Sequence, residues 1–421
     1  MDVILNAIKS VAYIFVDPLF IIFLIAITIL FYVKNKKLTF MQKMIIGENI
    51  NSPLELTLSQ LTLGLVAGFL ASILISILGI TFKDGSGIEI IFSLTILAIF
   101  FRGKIIKLPY LAAIFGVLSI VFTYFNIGGR DINLFRINIT SLISLIGVIY
   151  ILKGFLIIFD GSKGSMAVFS KKEGKIIGGY VLSRNWMLPI AIFIAVKLSG
   201  DSYNAQEIIN TPSWWPLLNS SSILELIKTS ALAMVPFFTL VNYNATTFTK
   251  TKKAKSRLIG LYTLLYGIII IGISLLTKFG LAMEIIAVVL TPLIYDLIFR
   301  VERKREEKRE PIFFSDDIGI CVLDVVPFSR GYNVGVQAGD KIISLNGNKV
   351  LNEKEIYTAI TNNYMNIELE LIDGNGKKKV VVFEKGKKPG ILLVPKTIEE
   401  NKKVDLTKEK ILEMIQKLKN K

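Results

Sequence analysis

The chain of 421 residues contains no histidine. That removes the His-Glu-x-x-His zinc protease, the Ser-His-Asp triad and the Cys-His dyad together, because each needs an imidazole as ligand or base. It has one cysteine, Cys321. A lone cysteine excludes an internal disulfide and a structural zinc site built on thiolates. Cys321 lies in a stretch that reads as a strand, so a buried structural thiol is expected. No cleavable signal is expected either. The first apolar run, 11–33, is too long for a signal's apolar region and has no small-residue cleavage site, so it reads as a first span.

What is present is apolar sequence, 52% of the residues. It forms long runs before Arg300 and alternates with charge after it. A span needs about 20 apolar residues, and candidate windows fall at 11–33, 54–80, 88–101, 108–125, 137–159, 186–198, 223–241, 258–277 and 281–299. The fold class expected is an α-helical polytopic membrane domain of about nine spans, followed by a small β-barrel-like α+β domain. The boundaries expected are 1–299 for the membrane block, 300–310 for a charged linker, 311–398 for the soluble domain and 399–421 for a charged amphipathic tail.

The net charge is +16. Residues 1–299 carry 25 basic against 14 acidic groups, or +11, and the rest carry 24 against 19, or +5. The excess sits in short loops of the membrane block, which points to topology and anionic lipid and away from nucleic acid. Loops 34–52, 102–107, 160–185 and 242–257 hold 17 basic residues; 81–87, 126–136, 199–222 and the Lys278 loop hold 4. Rich and poor loops alternate, which places the N-terminus outside and the C-terminal domain in the cytoplasm. The charges Asp17, Glu55, Lys153, Lys197, Glu225, Lys228, Glu284 and Asp296 fall toward span ends. Without a central cluster of charges, transport is poorly supported. Trp214-Trp215-Pro216 reads as an interfacial anchor or a ligand-stacking platform. The stretch Gly161–Arg184 reads as a solvated basic loop or a docking surface.

In Arg300–Glu310, Glu302 and Glu306 pair at helical spacing with Lys304, Arg305 and Arg309, so the last span continues as a helix behind a basic collar of Arg300, Arg303 and Arg305. Beyond it the period becomes that of strands. Ile320–Val326 is a strand, Ser329 caps a short helix, Lys341–Leu345 is a strand closed by the turn Asn346-Gly347. Asn352–Thr361 is a helix with Asn352 as its N-cap, 367–372 and 380–383 form a hairpin, and Pro389–Pro395 adds a strand.

These residues resemble a bacterial PDZ domain, through Pro327, Ser329, Gly335, Gly339, Asp340, Ile342, Asn346 and Gly347. Phe328 stands where the pattern has glycine, Arg330 where it has proline, and Gly331 and Val334 where it has alanine. The resemblance implies capture of an extended peptide by strand addition. In the permuted form, Gly390-Ile391-Leu392 supplies the carboxylate loop and edge strand, with Lys387 and Lys388 nearby and Ile356, Ala359 and Ile360 as the other wall. Asp317–Ile320 is a second candidate for that loop. The plainer alternative is a barrel strand at 391–394 beside a degenerate groove. Many bacterial proteins that join several spans to a PDZ domain are zinc proteases, which the absence of histidine excludes here.

The whole layout resembles the MinJ-type proteins of Gram-positive bacteria, as does Lys171–Gly179 followed by Trp186 and Pro189. The resemblance implies a non-enzymatic scaffold, without cofactor, that bridges a DivIVA-like protein to the MinC/MinD pair at a septum or pole. A protease-related sensor lacking catalytic residues and a transporter with an appended PDZ domain are the alternatives. The tail Leu406–Leu418 reads as a mobile amphipathic helix.

Overall fold

A computed structural model of the protein describes residues 2–48, 50–97, 107–125, 134–196, 215–218, 223–224, 230–362, 366–374, 376–384 and 389–396. They fall into two compact units, Met1–Val168 with Gly179–Pro311, and Phe169–Gly178 with Ile312–Lys421. Residues 169–178, which lie within the apolar part of the sequence, thus group with the C-terminal unit. The tail 399–421 lies outside the described residues.

The first unit holds helices α1 (Asp2–Tyr13), α2 (Pro18–Ile46), α3 (Pro53–Leu78), α4 (Ile88–Leu97), α5 (Leu108–Tyr124), α6 (Ile139–Asp160), α7 (Lys252–Ser274) and α8 (Leu281–Lys308). Of these, α2, α3, α6, α7 with the short turn that follows it, and α8 are long and apolar enough to cross a membrane. Helices α4 and α5 are apolar but shorter. Two charges near span ends act as caps. Asp17 accepts from the N–H groups of Leu19 and Phe20 at the start of α2, and Ser52 with Glu55 forms a capping box on α3. Helix α8 runs to Lys308, so most of the charged stretch is helical.

Two of the nine windows hold strands in most of their described residues. The windows 186–198 and 223–241 fall largely on an antiparallel ribbon of β3 (Lys175–Val196) and β4 (Ala231–Thr247), paired from Tyr180↔Thr247 to Val196↔Ala231. Strand β1 (Thr81–Lys83) joins β3 in parallel at Phe193–Ala195. The ribbon is buried on both faces. Trp186, Leu188, Ile190, Ile192 and Ile194 enter the large core that includes α6, while Met187 and Ala191 enter a second cluster with Ile27 and Phe31. A strand buried on both faces reads as a continuous apolar run, which hydropathy cannot tell from a helix.

The outer edge of β3 is closed by α3. A side-chain carbon on Gly64 would lie 2.3 Å from the Met187 carbonyl oxygen, and one on Gly68 would lie 2.2 Å from that of Pro189. One turn on, the Ser72 hydroxyl accepts the Ala191 N–H at 2.8 Å. Four helical residues rise about 6 Å and two strand residues about 6.6 Å, so Gly64, Gly68 and Ser72 stay in step with Met187, Pro189 and Ala191. Pro189 has no N–H to lose on that side. The β4 edge is met in the same way, the Thr95 hydroxyl of α4 accepting the Leu240 N–H at 3.1 Å. Trp215 is buried, and its indole N–H donates to the Ser76 carbonyl at 2.7 Å, so it packs inside this unit and is not an interfacial anchor. Trp214 lies outside the described residues.

The second unit takes in the end of β2 (Met166–Lys172) and the start of β3, a hairpin whose turn residues Glu173 and Gly174 have φ of 51° and 80°, the pattern of a type I′ turn. The stretch expected as a basic loop is therefore mostly strand. Its alternation around Glu173-Gly174 is the sequence signal for it. Ile177 and Gly178 pair with Phe314 and Phe313 of β5 (Phe313–Phe314). The main sheet runs β10 (Lys378–Phe383), β9 (Ile367–Ile372), β7 (Lys341–Leu345), β6 (Ile320–Val325), β11 (Ile391–Leu393), with β8 (Asn348–Lys349) on β7. Helices α9 (Arg330–Asn333) and α10 (Glu353–Asn362) complete it. These elements fall on the segments that strand periodicity and turn residues mark in the sequence. Asn346 and Gly347 have φ of 48° and 79°, as the hairpin requires. Cys321 is fully buried in β6, and burial pushes its thiol up to about 12, which keeps it unreactive.

Phe328 has φ of 62° and is 87% exposed. A bulky residue in the left-handed region is strained, and this is the position where the resemblance expects glycine. Phe328→Gly is expected to stabilise the protein by about 1 kcal/mol, read as a higher melting temperature of the full chain. A lower one would show that the ring contributes more than the strain costs.

Candidate docking edge in the C-terminal unit

Strand β11 lies at the end of its sheet. It leaves the turn Pro389-Gly390, where Gly390 has φ of 63°. Val326 donates to the Gly390 carbonyl at 2.7 Å, and Val394 donates to that of Cys321 at 2.8 Å. The register pairs Ile391 with Val325, Leu392 with Asp324 and Leu393 with Val322, so the bulge falls on β6 at Leu323. Strand β11 therefore keeps its alternation. Gly390, Leu392 and Val394 turn their main-chain groups toward β6, and Ile391 and Leu393 turn theirs away.

Helix α10 faces this strand. Asn352 caps it, its side-chain oxygen accepting the Glu355 N–H at 3.1 Å, while the Glu355 carboxylate accepts the Leu351 N–H at 3.1 Å. Ile356 and Ile360 are buried in one core with Ile391 and Leu393, and Ala359 packs half-buried against it. The residue that reaches the strand's outer edge is Tyr357. Its hydroxyl accepts the Leu393 N–H at 2.9 Å and donates to the Ile391 carbonyl at 3.4 Å. Burial raises its pKa above the ordinary phenol value, which keeps the donor proton in place.

Of the residues that the sequence marks as a peptide site, Gly390, Ile391 and Leu392 thus lie on or beside the edge strand. Ile356, Ala359 and Ile360 lie on the helix opposite it. Lys387 and Lys388 fall outside the described residues. Tyr357 carries no sequence signal beyond its place beside the core positions Ile356 and Ile360. Only the fold shows where its polar tip goes.

The second loop candidate, Asp317–Ile320, already holds an anion of its own. The Asp316 carboxylate accepts the N–H groups of Ile318 at 3.1 Å and Gly319 at 3.3 Å. It also pairs with Lys341. Desolvation acts to raise its pKa, but the Lys341 ammonium and these N–H groups outweigh it and hold the carboxyl below the usual range. A ligand carboxylate would have to displace it.

Fold and edge together define a class: a membrane-type helical protein carrying a β-rich C-terminal unit. Within that class, the chain is 24% identical over 388 residues to the cell division topological determinant MinJ of Bacillus subtilis (strain 168), a match that covers 89% of this chain and 90% of that protein. No protein-family model matches the chain. No solved structure matches it either.

Proposed function

We propose that the chain is a non-enzymatic membrane scaffold of the MinJ type, which positions partner proteins when the division site is selected. The observation that carries this reading is the similarity to MinJ along nearly the whole length of both chains. The C-terminal unit is read as a PDZ domain, supported by the order of its elements and by the edge strand β11 beside α10. Its ligand is an extended peptide of a protein partner, with DivIVA-like and MinC/MinD-like proteins as the partners that the MinJ reading implies. The alternation of basic loops is indifferent to whether a crossing is helix or strand. Exchanging two helices for a two-stranded ribbon therefore keeps the same sidedness, with the N-terminus outside and the C-terminal unit in the cytoplasm. Basic residues at the inner face favour anionic lipid there.

A fluorescent fusion is expected to concentrate at septa or poles, and deletion is expected to change cell length through misplaced or missing septa. Even membrane fluorescence with normal cell length on deletion would overturn the reading.

A further inference from the structure

We propose that Tyr357 stands in for a docked peptide strand and gates the outer edge of β11, an inference that rests on the reading of that edge as the peptide site. The main-chain groups turned away from β6 are those at positions 389, 391, 393 and 395, and of these the Pro389 carbonyl already accepts the Gly331 N–H at 2.9 Å. Two of these, Pro389 and Pro395, have no N–H. Ile391 and Leu393 therefore supply the outward donors of this segment.

Tyr357 takes the Leu393 N–H at 2.9 Å and gives its own proton to the Ile391 carbonyl at 3.4 Å. One hydroxyl so fills a donor and an acceptor that an incoming strand would meet with a C=O and an N–H of its own backbone. A little further along, the Glu353 carboxylate accepts the Lys396 N–H at 3.4 Å. The middle of the edge is thus occupied from within by α10. Unpaired edges invite addition by other chains, and proteins cover them with side chains or proline.

Tyr357 is a cover of a kind that can move, because it hangs on one side chain and not on a backbone. Peptide addition then requires the hydroxyl to leave both groups. A binding-competent form that is only fractionally populated lowers the apparent affinity by that fraction. Removing the hydroxyl while keeping the ring should tighten binding. That sign is the opposite of what loss of a contact residue gives.

The test uses the full chain in lipid nanodiscs, as wild type and as Tyr357→Phe. Both are screened against a phage-displayed library of random C-terminal heptapeptides, and the most enriched peptide is titrated against each. The expected result is binding roughly tenfold tighter to Tyr357→Phe, the order that one or two released hydrogen bonds correspond to. Amide exchange in the 389–396 segment, without peptide, should be faster in the variant, since Leu393 loses its acceptor. Equal or weaker binding by Tyr357→Phe overturns the gate and leaves the docking reading standing. Unchanged exchange in 389–396 also overturns the gate. Failure of both proteins to enrich any peptide overturns the docking reading and the gate with it.

Discussion

Asp160→Ala is expected to be among the most damaging single substitutions in the chain. Asp160 ends α6 with no exposed surface and gathers four donors. Arg184 of β3 binds it through Nε at 2.9 Å and Nη2 at 2.6 Å, Trp186 through its indole N–H at 2.9 Å, and Ser59 of α3 through its hydroxyl at 2.5 Å. Arg184 is itself only 1% exposed. Removing the carboxylate strands a buried guanidinium, which costs roughly 3–5 kcal/mol. The orphaned indole N–H adds to that. The melting temperature of the purified chain should fall by on the order of 10 °C.

The cause can be separated from mere loss of volume. Asp160→Ala combined with Arg184→Met removes the stranded charge and should recover a large part of the loss. If the single variant melts with the wild type, or the double variant is no better than the single, the ion pair is not what secures β3 to α6.

The second large effect is expected at Gly68. A side-chain carbon there meets the Pro189 carbonyl oxygen at 2.2 Å and the proline ring at 2.6 Å. The oxygen belongs to the strand backbone, so it cannot turn away as a side chain would. Gly68→Ala must push α3 off β3 and loosen the Ser72 hydroxyl from the Ala191 N–H one turn later. The cost is set at about 1–3 kcal/mol or more by comparison with overpacked cores, and Gly68→Val should prevent recovery of folded protein altogether. Gly272 is the control. It lies in α7, and a methyl group there would have nothing within 4 Å of it. Gly272→Ala should therefore stabilise by about 0.5–1 kcal/mol, as in an ordinary helix interior. Both variants are read by thermal unfolding in detergent. A Gly68→Ala protein as stable as Gly272→Ala would show that the helix and strand are not in close contact.

The C-terminal unit was the most legible part. Ser329, Asn346-Gly347 and Asn352 each perform in the fold the capping or turning role that their chemistry suggests. The strands between them alternate because one face of each is buried. The first unit was legible where a span is a helix and misleading where it is not. Ile190, Ile192, Ile194 and Val196 repeat with a period of two, the mark of a strand. The residues between them are apolar as well, so the alternation is masked. Gly64, Gly68 and Ser72 recur every four residues, and that spacing alone does not say that a strand lies against them. In the candidate docking edge, the strand and the helix could be located from sequence. The hydroxyl that joins them could not, because nothing local distinguishes Tyr357 from a packing tyrosine.

The closure of the ribbon's edges has a consequence for biogenesis. A single strand released into hydrocarbon would leave its N–H and C=O groups without partners, at several kcal/mol each. Helices α3 and α4 precede β3 in the chain, so the Gly64, Gly68 and Ser72 seat is made before its occupant. The other edge of β3 waits for β4, which ends at Thr247. Until that residue has been synthesised, β3 is better kept in water or at the insertion machinery than in lipid. If the ribbon lies at membrane depth, insertion one segment at a time would leave β3 unpaired. Tyr180–Val196 and Ala231–Thr247 would then enter together, as a pair, into a slot that earlier helices have already shaped.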